Sequence, residues 1–456
     1  MQLSEHIFRQ YDIRGVVGED LTSAVADAVG RAYGSELRSR LPGEAPRVAV
    51  GEDNRPSSPG LAASLVRGLR SAGCSVLQLG TVPTPVTYFS EYRFGTDGAI
   101  QITGSHNPPE YNGIKMTMGK ASTHGDGIQR LRRRILERDL AVGTGSVEDV
   151  DPLPAYVADV SARFRLSRPL KVVVDCGNGT GSVVAPQLLE AIGLEVIPLY
   201  CESDGTFPNH HPDPTVDEHV QDLIAEVRRH EADAGIGFDG DADRIGVVDD
   251  RGRVVRGDIL LLLFGLDILQ RRGTGQRLVF DVKCSQVLPE EFARAGGEPL
   301  MWKTGHSLIK EKMRETGALI AGELSGHVCF ADDYYGFDDA MYAAGRLAAL
   351  IADADRPLSR IVGALPAYVA TPELRLEVPE DVKFPLVERA VRYFSNRYDV
   401  VAVDGVRVQF GDGWGLIRAS NTQPVIVARF EASSAKRLRQ IRATMEDWLR
   451  QEGVHI

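Results

Sequence analysis

Two short polar segments carry residue types that phosphoryl chemistry needs. The first, TGSHNPPEYNGIK at residues 103–115, sets Ser105 between a glycine and a histidine and follows it with Asn107, Pro108 and Pro109. Asn and Pro prescribe a tight, exposed turn there rather than a strand or helix, and a serine presented this way is a nucleophile or a phosphate carrier. Taken alone, the segment also reads as an ordinary polar solvent loop. The second, DGDADR at residues 239–244, spaces Asp239, Asp241 and Asp243 at i, i+2 and i+4. Side chains at that spacing share one face of an extended segment, and Gly240 and the small Ala242 permit a bend that converges them. Three convergent carboxylates repel one another unless a hard cation lies between them, and an all-oxygen set without His or Cys favours magnesium over zinc. The alternatives are a solvated acidic loop or an extracellular calcium site. An EF-hand is excluded, because its remaining loop ligands and closing bidentate Glu are missing.

Two further loops could recognise a sugar phosphate. GELSGH at 322–327 offers Glu323, Ser325 and His327 between glycines, a set that can pair vicinal hydroxyls by accepting and donating hydrogen bonds. A histidine is the side chain best suited to proton transfer, which makes His327 a candidate for it, although a structural role in the loop is the competing reading. RASNTQP at 418–424 supplies Arg418, Ser420, Asn421 and Thr422, a guanidinium with hydroxyl, amide and backbone donors that suits a phosphate, or equally a capped turn. Arg14, Lys115, Arg244 and Lys283 accompany these loops as local positive charge. GNGTG at 177–181 lacks the GxGxxG and Walker patterns and reads as a tight strand-to-helix turn. Asp53, Asn54 and Arg55 read as structural.

These loops need a scaffold, and the chain repeats one. RVAVGEDNR, CSVLQLG and DGAIQITGSHNP read as strands leading into loops, with helices between. LKVVVDCGNGTGS, LEVIPLY and ADAGIGFDGDADR repeat the order, and RLVFDVKCS, EPLMWKTGH and ALIAGELSGH repeat it again. Strands alternating with helices are the α/β pattern, and in each round the last strand delivers one of the polar loops. Amphipathic spacing predicts a helix from about residue 23 (Val25, Val29, Ala32, Tyr33, Leu37) and another over 434–451 (Leu438, Ile441, Met445, Trp448, Leu449). The expected fold is α/β, with three related α/β units with mixed sheets around a central cleft, plus a smaller C-terminal α+β domain. The expected domains are 1–150 with the serine loop, 151–254 with the metal loop, 255–366 with the sugar loop and 367–456 with the phosphate loop.

Composition bounds the partners. With 52 Lys and Arg against 63 Asp and Glu, the net charge of −11 disfavours broad binding to nucleic acid or anionic membrane. No apolar run approaches a membrane span and the N-terminus lacks a signal-peptide core, so a cytoplasmic protein is expected. Five scattered cysteines without CxxC spacing argue against a disulfide framework and a zinc site, leaving buried free thiols.

TGSHNP, DGDADR, GELSGH and RASNTQP in that order, with the N-terminal YDIRG, resemble the α-D-phosphohexomutase superfamily over the whole chain. Within it the sequence looks like the phosphomannomutase/phosphoglucomutase group. Phosphoglucosamine mutases, the alternative, usually carry ASHNP and GEQSGH, so Gly104 and Leu324 point away from them. Ala242 stands where many relatives carry glycine. The resemblance implies a magnesium-dependent phosphohexomutase interconverting hexose 1-phosphate and hexose 6-phosphate (mannose and/or glucose). It would work through phosphoserine at Ser105 and a 1,6-bisphosphate intermediate, with hexose 1,6-bisphosphate as activator. Mg2+ would be held by Asp239, Asp241, Asp243 and Ser105. Catalytic roles fall to Ser105, Lys115, Arg14, Arg244 and His327, with Lys115 and His327 as the proton-transfer candidates. Substrate binding falls to Tyr11, Lys283, His306, Glu323, Ser325, His327, Arg418, Ser420, Asn421 and Thr422. The partners implied are hexose phosphates, without nucleic acid or membrane, to a monomer or homodimer. A magnesium-dependent sugar phosphatase and a non-catalytic sugar-phosphate sensor stay open beside it.

Overall fold

Three parallel-stranded cores of one topology recur along the chain. The structure is a computed structural model, and it describes residues 3–354 and 356–456. In the first sheet Arg47–Glu52 lies between Ser75–Thr81 and Gly98–Ile102; in the second Leu170–Asp175 lies between Leu194–Leu199 and Ala234–Phe238; in the third Arg277–Asp281 lies between Glu298–Trp302 and Ile320–Gly322. All these pairings are parallel. In the first two sheets an antiparallel strand follows, Tyr111–Met118 and Ile245–Asp249. The last parallel strand of each round runs directly into its polar loop, so all three loops leave carboxyl ends of strands, where open α/β sheets bind ligands.

The chain divides into two compact units, Met1–Gly257 with Ser325–Arg360, and Asp258–Leu324 with Ile361–Ile456. In the first unit the helix Ser23–Arg40 turns Val25, Val29, Ala32, Tyr33 and Leu37 into the core, each at most 2% exposed. Thr22 caps it by accepting from the Val25 amide. Among the described residues no helix is long and apolar enough to cross a membrane.

The second unit holds the third sheet and an antiparallel terminal sheet ordered Val369–Ala370, Val425–Ala432, Gly413–Ala419, Val406–Gln409 and Val400–Val401. The predicted terminal helix is Ala435–Gln451, capped by Ser434, and it buries Ile441, Met445, Trp448 and Leu449. The terminal sheet is fastened to the loop after Asp281. Arg407, fully buried, donates to the Val282 and Cys284 carbonyls (2.8 Å each) and stacks 3.8 Å over the Trp414 ring. Arg429 donates to the Lys283 carbonyl at 2.6 Å. The terminal nitrogens of both guanidiniums find backbone or side-chain acceptors while Nε of each is left without one among the described residues, so the joint is directional as well as apolar.

One buried carboxyl makes stability depend on pH. Asp339 caps the helix Ala340–Asp353 through the Met341 and Tyr342 amides and accepts from Tyr156 and Tyr334 hydroxyls. Burial pushes it up from an ordinary 3.8 to about 6, against the hydrogen bonds that stabilise the anion. A raised carboxyl favours the fold most below its unfolded pKa, and that contribution is lost as pH rises through the folded value. It amounts to up to about 3 kcal/mol. Asp339→Asn, which keeps an acceptor at the helix cap, is expected to flatten the fall in melting temperature between pH 4 and about 6. Thermal melts of both proteins across that range check it.

Candidate active site

Ser105 is not exposed as a solvent turn would be; it is 2% exposed because the aspartate loop packs on it. Its Oγ donates to Asp239 Oδ2 at 2.9 Å, and a Cβ on Gly240 would stand 2.5 Å from the Ser105 carbonyl oxygen, so only glycine permits this approach. Ser105 holds a left-handed φ of 49°, a conformation that costs a non-glycine residue roughly 1 kcal/mol and has to be enforced by its surroundings. Arg55 does much of this. Fully buried and paired with Asp53 at 3.1 Å, it donates to the carbonyls of Ser105, Asn107, Pro108 and Tyr111. The structural role read for Asp53 and Arg55 is therefore a clamp on the serine loop. A Cβ at Gly104 would meet the Arg55 guanidinium at 2.5 Å, which gives Gly104 a packing reason.

Asp239, Asp241 and Asp243 are fully buried, with ligand atoms all within 4.8 Å of one another. Ala242 makes the bend at a φ of 57°, which explains why glycine suits this position. Asp239 Oδ1 accepts from the Asp243 and Arg244 amides. The Thr84 amide and hydroxyl, at the start of the helix Thr84–Arg93, donate to the Asp241 carbonyl (3.0 Å) and carboxylate (2.5 Å), where a helix N-terminus favours negative charge. Lys115 projects from Tyr111–Met118 to Asp241 (2.6 Å) and Asp243 (2.5 Å).

The electrostatics call for a cation. Burial, then Asp241 and Asp243, push the Asp239 carboxyl well up. Burial also raises Asp241, but the Lys115 ammonium and its hydrogen bond outweigh it and leave that carboxyl below the usual range. Burial opposes the Lys115 charge, and Asp241 and Asp243 overcome it, so Lys115 stays an ammonium. That state suits charge neutralisation better than accepting a proton. One ammonium touches two of the three carboxylates, Arg244 Nε stands 4.0 Å from the third, Asp239, and Asp241 Oδ1 has no hydrogen-bond partner among the described residues. A buried, oxygen-only set with an unsatisfied carboxylate oxygen fits a hard divalent cation such as magnesium.

Other predicted residues join this loop within the first unit. Arg244 donates from Nε to His327 Nε2 at 3.0 Å, and His327 Nδ1 lies 3.0 Å from Asp338. Arg14 pairs with Gly113 across Ile13–Val16 and Tyr111–Met118, which places it on the Lys115 face; it donates to Asn107 (2.8 Å) and Asp12 (2.6 Å). Tyr11 and Ser325 are half-buried. His106 is held neutral by burial and by the neighbouring Arg244, Arg14 and Lys115.

The second unit gathers the rest. Glu323 accepts from the Gly305 amide at 2.7 Å, just before His306 opens the helix His306–Thr316. Lys283 pairs with Glu373 at 2.9 Å; the lysine charge holds Glu373 down at about 2. Arg418 donates to Asp404 at 2.9 Å, and the same carboxylate oxygen accepts from the Thr304 amide. Ser420 Oγ accepts from the Thr422 and Gln423 amides, giving a closed turn with Asn421 half-buried and Thr422 exposed. Sequence reasoning did not single out Thr84, Asp338, Glu373 or Asp404 as site residues.

Comparison with known proteins accounts for this arrangement. Residues 5–140, 154–252 and 256–368 match Phosphoglucomutase/phosphomannomutase alpha/beta/alpha domains I, II and III, and 373–447 match the C-terminal domain of the same family. The chain belongs to the phosphoglucomutase/phosphomannomutase family. A phosphomannomutase/phosphoglucomutase of Pseudomonas aeruginosa is 49% identical over 449 residues, covering 98% of this chain and 96% of the relative. A phosphoglucomutase of Neisseria gonorrhoeae is 43% identical over 96% of this chain and 95% of its own. The crystal structure of a phosphoglucomutase/phosphomannomutase family protein from Burkholderia thailandensis superimposes with a TM-score of 0.92 at 45% identity, covering 99% of this chain and 98% of that one. This phosphoglucomutase/phosphomannomutase family member is thus an intramolecular phosphotransferase with the four-domain α/β architecture that its sequence predicts.

Proposed function

We propose that the chain interconverts the 1- and 6-phosphates of mannose and glucose, with Ser105 as the phosphoryl carrier. The observation that carries this is the Ser105 hydroxyl, held in a left-handed backbone conformation 2.9 Å from Asp239 within a buried aspartate trio. In the first half-reaction the bond from phosphorus to Ser105 Oγ breaks as a substrate hydroxyl oxygen bonds to phosphorus. His327 is the base that takes the hydroxyl proton, at the Nε2 that accepts from Arg244 in the substrate-free chain, with Asp338 beside Nδ1 holding the ring. The released Ser105 Oγ takes up a proton. The resulting 1,6-bisphosphate, which also serves as activator, reorients. Ser105 Oγ gives up that proton as it bonds to the other phosphorus, and the sugar oxygen whose bond to phosphorus breaks receives the proton held on His327. Asp239, Asp241, Asp243 and Ser105 would hold magnesium, which would supply positive charge for the phosphoryl oxygens in transfer. Lys115, Arg244 and Arg14 add fixed positive charge. Glu323 and Ser325 pair sugar hydroxyls; Arg418, Ser420, Asn421 and Thr422 take the phosphate that is not transferring; Lys283, His306 and Tyr11 complete the contacts. The functional division is 1–150, 151–254, 255–366 and 367–456.

Coupled assays with mannose, glucose and glucosamine 1-phosphates on one preparation, with phosphate release followed alongside, test the reading. Mannose and glucose phosphates are expected to isomerise at similar kcat/KM, and glucosamine phosphate more slowly by tenfold or more, roughly 1.4 kcal/mol of discrimination. Preferred turnover of glucosamine phosphate would assign the other mutase specificity. Phosphate release without isomerisation would make it a phosphatase, and binding without either a sensor.

A further inference from the structure

The cysteines are free, but they are not uniformly the buried thiols expected: Cys74, Cys176, Cys284 and Cys329 are buried, whereas Cys201 is half-exposed. Cys176 follows the strand Leu170–Asp175 and Cys201 closely follows its parallel neighbour Leu194–Leu199. Their Sγ atoms stand 3.3 Å apart, and Cys176 is fully buried. An oxidant therefore reaches Cys201 first, with Cys176 already in place to resolve it.

The same residues build a turn that supports the aspartate loop. The Cys176 amide donates to the Leu199 carbonyl (3.2 Å), the Gly179 amide donates to the Cys176 carbonyl (2.8 Å), and the Asn178 amide donates to the Tyr200 carbonyl (2.8 Å). Thr180 then donates from both its amide (2.9 Å) and its hydroxyl (3.0 Å) to the carbonyl of Gly240, the residue between Asp239 and Asp241. Direct contacts thus lead from the thiol pair to the backbone of the metal loop.

We propose that Cys176 and Cys201 are a peroxide-sensitive pair whose closure into an intramolecular disulfide loosens the hold of the 176–180 turn on Gly240 and lowers mutase activity. The Cys201 thiolate attacks one oxygen of hydrogen peroxide and the O–O bond breaks, leaving a sulfenic acid; the departing hydroxide, with the thiol proton, becomes water. The Cys176 sulfur attacks Cys201 Sγ, the S–O bond breaks, and the second hydroxide leaves as water with the Cys176 proton. Two thiols are oxidised and one peroxide is reduced to two waters. Closure draws the sulfurs from 3.3 Å to about 2 Å, a contraction the turn has to absorb. The effect on activity rests on the metal-loop reading under Proposed function.

Metal-free wild-type protein treated with hydrogen peroxide is expected to lose the mass of two hydrogen atoms and to yield a cross-linked Cys176–Cys201 peptide. Amides of 176–184 and 238–245 should exchange faster with deuterium. Activity on adding magnesium should fall by about tenfold, as when contacts behind a metal ligand are lost. Dithiothreitol should reverse all of these changes. Cys201→Ser and Cys201→Ala are expected to keep their basal activity before and after peroxide. Peroxide without a cross-link, oxygen added to Cys201 in its place, or a cross-linked protein with unchanged exchange would overturn the proposal. Cross-link and exchange are read without magnesium, so they decide it independently. The metal reading fails separately, if chelation leaves the reduced enzyme active.

Discussion

Ser105→Ala is expected to lower mutase activity by on the order of 10³-fold or more, because the substitution removes the atom that carries the phosphoryl group. Alanine keeps the backbone contacts of the loop, since the Arg55 clamp grips carbonyl oxygens rather than the hydroxyl. It deletes the hydrogen bonds of the hydroxyl to Asp239 and to His106 Nδ1 and leaves the rest of the loop in place. The variant should therefore melt close to the wild type. Intact-protein mass spectrometry after incubation with hexose 1,6-bisphosphate should find one phosphoryl group on the wild type and none on the variant. Full activity in Ser105→Ala would end the phosphoserine mechanism, and a phosphorylated variant would place the carrier elsewhere.

The loop at Ser105 also shows how far sequence alone reached. Ser105, Asp239, Asp241 and Asp243 were legible because each sits in a short segment whose spacing and turn chemistry carry the signal locally. The three α/β rounds were legible for a similar reason: the strands are buried apolar runs, and each ends in a polar loop. What supports the loop is not local. Arg55 reaches the Ser105 carbonyl across 50 residues of sequence, Thr84 reaches Asp241 across 157, and the Arg14 and Asn107 side chains meet across 93. No periodicity marks such partners, and a lone Thr or Arg reads by default as surface. Burial of Ser105 was missed for the same reason. Asn and Pro specify the turn, and its cover comes from the glycine-permitted approach of Gly240. Lys115 was correctly counted as a charge near the loop, but its ammonium state follows from Asp241 and Asp243, more than 120 residues away.

Asp239→Asn should have opposite signs on activity and on metal-free stability. In the wild type, burial and the two neighbouring aspartates push the Asp239 carboxyl well above its ordinary value, so keeping it ionised near neutral pH destabilises the fold in the absence of a cation. Asparagine removes that charge while its oxygen can still accept from the Asp243 and Arg244 amides. In chelator, the variant is expected to melt higher than the wild type. With excess magnesium the order should reverse, because the wild type gains the binding free energy of a three-carboxylate site and the variant only part of it. Activity should fall by at least the roughly 10- to 100-fold that loss of a partner behind a metal ligand costs, and added magnesium should restore only part of it. Paired melts and assays across a magnesium titration make the comparison. If the trio were merely an acidic loop neutralised by Lys115 and Arg244, chelation would leave wild-type activity intact and magnesium would not invert the two melting temperatures. A cation site requires both responses, since the buried charge that costs stability when metal-free is the charge that binds the ion.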